Sequence, residues 1–145
     1  MPITRQADYA VRAVLYLAQL EPGMRISTAE VARAQHIPLT FLAKIVSQLS
    51  NVGILRTARG AHGGIRLGRL AQDINLLEVV EAIDGPLALN KCVLNPEACP
   101  LSTDCPVQLV WCEAQAELVS RLLQTTFEKL ARVRPPVTET APAFN

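Results

Sequence analysis

Three cysteines, Cys92, Cys99 and Cys105, stand with six and then five residues between them in the second half of the chain. Thiolates are soft ligands that suit iron–sulphur clusters, zinc or copper. Their spacing differs from the paired cysteines of a zinc knuckle, where one tight turn supplies two ligands. Wider gaps let a loop wrap a larger object, such as a cubane cluster. Pro100 and Pro106 follow Cys99 and Cys105 directly, fixing the backbone direction and removing a competing N–H donor. Cys105 falls where a long amphipathic stretch begins, and the free amides and dipole of a helix N-terminus favour a thiolate there. Cys112, just after Trp111, reads as a small buried hydrophobe.

A second set of residues suits contact with a polyanion. Residues 1–72 carry nine lysines and arginines against three acids, whereas residues 73–145 carry five against ten. A basic half joined to an acidic half points to a polyanion-binding module attached to something else. Half of the residues are hydrophobic but only 4% are aromatic, so the core must be aliphatic. Enzyme chemistry finds no support: there is no glycine-rich nucleotide loop and no Ser/His/Asp arrangement. The only histidines, His36 and His62, stand beside no nucleophile.

The elements that position these groups follow from periodicity and breakers. Residues 4–20 place Ala7, Val11, Val14, Leu15 and Ala18 at helical spacing, and Pro22-Gly23 ends that helix. Ser27 and Glu30 fit a capping box that opens a short helix through Ala34. After a break at residues 35–38, a third helix over 38–51 buries Leu42, Ile45, Val46 and Leu49. Two short helices joined by a tight turn form a helix-turn-helix. Two extended runs, 54–59 and 65–69, flank a glycine-rich turn and predict a β-hairpin, which after a helix-turn-helix is a wing. Asn75 and Glu78 cap a further helix through Ile83. Residues 87–105 read as an irregular loop, long enough to be functional or disordered. A long helix then runs from Pro106 to about Val133 with Val107, Val110, Trp111, Ala114, Leu118, Leu122, Phe127 and Leu130 along one side. One small domain offers little to pack against so long a stripe, and a partner subunit would cover it.

The expected fold is therefore mainly α. A winged helix-turn-helix DNA-binding domain occupies 1–86 and a cysteine-bearing loop 87–105. A dimerisation helix covers 106–133 and a disordered proline-rich tail 134–145. In such modules the second helix of the motif enters the major groove. Thr40, Ala43, Lys44, Ser47 and Gln48 are the candidate base and phosphate contacts there. Arg56, Arg59, Gly60, His62, Arg66 and Arg69 are the candidates in the wing, with Arg59 suited to the minor groove. No apolar run approaches the roughly 18 residues of a membrane span. The first eight residues carry polar side chains where a signal peptide would have its apolar region, so a soluble cytoplasmic protein is expected.

These features together resemble the IscR/NsrR family of bacterial winged-helix regulators that bind iron–sulphur clusters. The resemblance covers roughly residues 1–133. It rests on Ala7-Asp8-Tyr9-Ala10-Val11, on Arg59-Gly60 with Gly63-Gly64, on the stretch from Leu77 to Gly85, and on the three cysteines. It implies a homodimer, crossed through its C-terminal helices, on a partly palindromic operator. It also implies an iron–sulphur cluster near the dimer interface, four-iron in preference to two-iron, with Cys92, Cys99 and Cys105 as ligands. Members resembling IscR place a histidine three residues after the third cysteine, where this chain has Gln108. Members resembling the nitric-oxide sensor NsrR use an aspartate of the first helix from the other subunit, and Asp8 matches it. The first cysteine gap, six instead of the commoner five, departs from the family pattern. The implied function is a transcriptional regulator, a repressor, whose operator affinity follows a cluster that senses nitric oxide, oxygen or redox state, or iron–sulphur supply. The residues alone also admit a thiol/disulfide or zinc-dependent regulator using the same cysteines.

Overall fold

The computed structural model describes residues 2–133. In chain order the helices α1 (Arg5–Gln19), α2 (Thr28–Gln35) and α3 (Leu39–Asn51) precede a hairpin of β1 (Leu55–Ala58) and β2 (Gly64–Leu67). Then come α4 (Leu76–Asp84), α5 (Lys91–Leu94), α6 (Pro106–Gln124) and α7 (Phe127–Arg132). Short 3-10 turns cover Ala71–Asp73, Pro96–Ala98 and Ser102–Asp104.

The caps explain the starts. Thr4 accepts from the Ala7 amide and is itself tied to the Asp84 carboxylate, which joins the start of α1 to the end of α4. The Ser27 hydroxyl accepts from the Glu30 amide at 3.2 Å. Asn75 and Glu78 form the full reciprocal capping box of α4. The motif's tight turn comes from His36, which sits in the left-handed region at φ 53° and lets Ile37 N–H reach Ala32 O at 2.9 Å. α3 begins at Leu39 with Pro38 as its cap, and it buries Leu42, Ile45, Val46 and Leu49 as the periodicity requires.

The hairpin is antiparallel, with Leu55 opposite Leu67 and Arg56 opposite Arg66. It is fastened to the head by a bridge in which Ile26 N–H donates to Ile65 O at 3.1 Å and Ile65 N–H donates to Ile26 O at 2.8 Å. Gly64 permits that approach: it has φ +135°, and a Cβ there would lie 2.6 Å from the Ile26 carbonyl oxygen. Ile54, Leu55 and Ile65 close the core formed by α1, α2, α3, Ile74, Val79 and Phe127.

Three expectations from the sequence are corrected. On α1 the buried face is Ala7, Ala10, Ala13, Val14 and Leu17, while Val11, Leu15 and Ala18 are only partly buried. Ala7 and Val14 are buried as expected, and Ala10, Ala13 and Leu17 complete the inward face. The segment 87–105 is more ordered than a loop: Asn90 caps α5 and two 3-10 turns follow. The single helix expected over 106–133 is two helices, broken at Thr125 and Thr126. There Leu76 N–H donates to Thr125 O and Phe127 N–H to Ile74 O, both at 2.9 Å. Thr126 caps α7 through the Lys129 amide. Phe127 consequently leaves the outward stripe of α6 and is fully buried in the head, with α7 packed against α1 and the Ala71–Asp73 turn. The tail over 134–145 lies outside the described residues.

Candidate DNA interface and cysteine centre

Thr40, Ala43, Lys44 and Ser47 share the exposed side of α3, opposite its buried leucine and isoleucine face. They form one continuous surface because α3 is pinned by its four core residues and by the turn at His36. Gln48 is half-buried and its Oε1 has no partner among the described residues. It stands at the margin of this surface rather than at its centre.

Arg56, Arg59, Gly60 and His62 are exposed along the wing. Arg56 lies directly opposite Arg66 in the hairpin register. Like charges in such a pair repel, and a polyanion against this face would relieve the repulsion. Arg66 is half-buried, its Nε has no partner, and it lines a cleft with Leu17, Leu20, Met24 and Leu70. Among the described residues Lys44, Arg56, Arg59 and Arg66 have no carboxylate partner within ion-pair distance. Arg69 differs from its expected role in the wing. It donates to Asp73 O at 3.1 Å and pairs with Glu78, fixing the chain between wing and α4.

The cysteines lie on the segment that leads into α6. Cys92 lies in α5, Cys99 follows the Pro96–Ala98 turn, and Cys105 is the N-cap residue of α6. All three are free thiols and half-buried, whereas Cys112 is free and exposed, so it is not the buried hydrophobe that the sequence suggested. Cys105 makes no capping hydrogen bond through its sulphur, which leaves that atom available. Two glutamines of α6 hold the segment. Gln108 Nε2 donates to Cys92 O at 3.3 Å. Gln115 accepts from Leu89 N–H at 2.9 Å and donates to Leu87 O at 2.6 Å. Gln115 is the one buried polar side chain among the described residues, and sequence reading, which scores glutamine as surface, passed over it.

Asp8 lies on the exposed side of α1 and pairs with Arg12 at 3.1 Å. Arg12 also donates to Gln35 O at 3.1 Å and stacks 4.8 Å above the Tyr9 ring, which meets Phe41 edge-on. This exposed ion pair contributes little stability, so Asp8 can exchange partners readily. The donor types fit a soft-metal or iron–sulphur centre. The arrangement within one chain does not close one: among the described residues no group of three or more His, Cys, Asp or Glu is placed to hold a metal ion.

A helix-turn-helix followed by a fastened wing, with unpaired cations on its outer face, defines a winged-helix transcriptional regulator. The family model described as "Rrf2: Iron-dependent Transcriptional regulator" matches residues 3–133, and the chain belongs to the Rrf2 family. Such proteins bind DNA and are regulators rather than enzymes. "Protein aau3" of Rhizobium meliloti (strain 1021) is 34% identical over 139 residues, which is 94% of this chain and 89% of that one. CymR (YrzC), the global cysteine regulator of B. subtilis, has the same fold with a TM-score of 0.76 at 24% identity, covering 90% of this chain and 96% of its own. T. potens IscR matches with a TM-score of 0.74 at 20% identity, covering 97% and 94%. No helix among the described residues is long and apolar enough to cross a membrane.

Proposed function

We propose that this regulator is a cytoplasmic homodimeric repressor of a partly palindromic operator, and that an iron–sulphur cluster controls its affinity. Cys92, Cys99 and Cys105, with Asp8 of the partner subunit, hold the cluster. The observation that carries this reading is the confinement of three free, half-buried thiols to residues 92–105, directly at the start of α6. The family description as iron-dependent supports it. If bound, a cluster, four-iron in preference to two-iron, would be held by Cys92, Cys99, Cys105 and the partner's Asp8 and would supply iron that reacts with nitric oxide or oxygen.

The chain divides by role into a DNA-reading head over 1–86, a sensing segment over 87–105, and α6 as the dimerisation helix. Val107, Val110 and Trp111 on one flank of α6 and Leu109 and Leu123 on the other are exposed, with Leu109 at 68%. A second subunit, crossed over α6, covers them. Thr40, Ala43, Lys44 and Ser47 read the major groove while Arg56, Arg59, Gly60 and His62 hold the backbone or enter the minor groove, with Gln48 and Arg66 at the edges. Two heads must match half-sites about one helical turn apart. The sensing segment grips α6, so its arrangement sets that spacing. A bias of about 1.4 kcal/mol between two spacings changes operator affinity tenfold.

A second reading is favoured by the likeness to a global cysteine regulator. In it the same thiols form a disulfide, or hold zinc, and the state of the pair sets the spacing. Anaerobic purification with iron and sulphide analysis separates the two. The cluster reading expects a brown protein with stoichiometric iron and sulphide. A colourless protein with neither, after anaerobic reconstitution, would refute it.

A further inference from the structure

We infer that Gln108 and Gln115 form a two-point latch that lays the sensing segment antiparallel along α6 and sets Cys92 beside Cys105. The inference deepens the proposed function and rests on Cys92 and Cys105 acting together. Its geometry, however, is the same for a cluster or a disulfide.

Gln115 touches residues 87 and 89, and Gln108, seven residues earlier on α6, touches residue 92. Seven residues are close to two helical turns, about 10.5 Å of rise, and both side chains fall on one face. The segment thus descends as α6 ascends. Gln115 engages an acceptor and a donor of the backbone at once, as a neighbouring β-strand would. Truncating it strands Leu87 O and Leu89 N–H in a site where the glutamine is 92% buried (8% exposed).

Gln108 joins the two cysteines through one residue. Its backbone N–H donates to Cys105 O at 3.2 Å and its side chain donates to Cys92 O at 3.3 Å. A slip of the segment by one residue would carry Cys92 away from Cys105. The latch prevents that slip without using either sulphur. Gln108 therefore acts as a positioning residue at the place where the sequence departs from a histidine ligand.

The test uses reduced, cluster-free, full-length protein and dibromobimane, which becomes fluorescent on bridging two neighbouring thiols. Peptide mapping assigns the bridge. The wild-type protein should give a dominant Cys92–Cys105 bridge. Gln108→Ala and Gln115→Ala should each slow its formation by roughly fivefold to tenfold, while helix content by circular dichroism stays that of the wild type. Gln115→Glu, which still accepts from Leu89 N–H but cannot donate to Leu87 O, should fall between. Gln108 is only half-buried, so Gln108→Ala carries the test even if Gln115→Ala folds poorly. Equal bridging rates in wild type and Gln108→Ala would overturn the latch. A wild-type protein that bridges in this way but never holds iron would refute the cluster reading and leave the latch standing.

Discussion

Phe127 and Leu123 stand four residues apart, and the structure gives them opposite fates. Phe127 is fully buried in the head, whereas Leu123 is 48% exposed on the outward side of α6. Truncating Phe127 to alanine removes a ring from the core contacts with α1 and the Ala71–Asp73 turn. Buried Phe→Ala changes destabilise by about 3–5 kcal/mol, against a total of about 5–15 kcal/mol for a domain. Leu123→Ala leaves the head untouched and should destabilise one subunit by less than about 1 kcal/mol. Its effect should appear in association, because the lost side chain lies on the surface proposed to meet a second subunit. Urea unfolding followed by circular dichroism, at two protein concentrations, separates the two effects. Phe127→Ala should lower the midpoint at both concentrations, and Leu123→Ala chiefly at the lower one. A loss below about 1 kcal/mol for Phe127→Ala, or indistinguishable curves for the two variants, would refute the inward turn at Thr125 and Thr126.

Three further changes probe the wing, the DNA contacts and the proposed fourth ligand. Gly64→Ala places a Cβ 2.6 Å from Ile26 O at φ +135°, and the strain of about 1–3 kcal/mol should loosen the wing's fastening; unchanged amide exchange at Ile26 and Ile65 would refute that. Arg59→Ala should weaken operator binding and reduce the salt dependence by about one counterion per lost phosphate contact, with iron content unaffected; an unchanged salt slope would remove Arg59 from the interface. Asp8→Ala should leave the protein folded, since only an exposed pair with Arg12 is lost, but its reconstituted cluster should decay faster in air. Identical decay would exclude Asp8 as a ligand.

Much of the head was legible because its signals are local. The Asn75 and Glu78 box, the Ser27 cap, the 42-45-46-49 pattern of α3 and the glycines of the wing each specify a backbone conformation within a few residues. The errors arose where long-range packing decided. Ala7 and Val14 lie in the core as the periodicity requires, but Ala10 and Ala13 join them there while the larger Val11 and Leu15 stay only partly buried. Phe127 continued an apparent stripe, and only its pairing with Ile74 turned it inward. Thr126 was the available sign, a capping residue followed by Glu128 in the first turn of α7. At the candidate site the cysteines declared themselves by type and spacing. Gln115 did not, since a buried glutamine is recognisable only from the backbone groups it satisfies.

In the proposed mechanism the occupancy of residues 92–105 sets the separation of two DNA-reading heads. This coupling is tested most directly by measuring operator affinity on one anaerobic preparation before and after the iron is removed by chelation, at fixed salt. A change of at least tenfold in Kd, about 1.4 kcal/mol, is expected, and none when Cys99→Ser protein is treated in the same way. Equal affinity of the filled and emptied protein for the same duplex would contradict it.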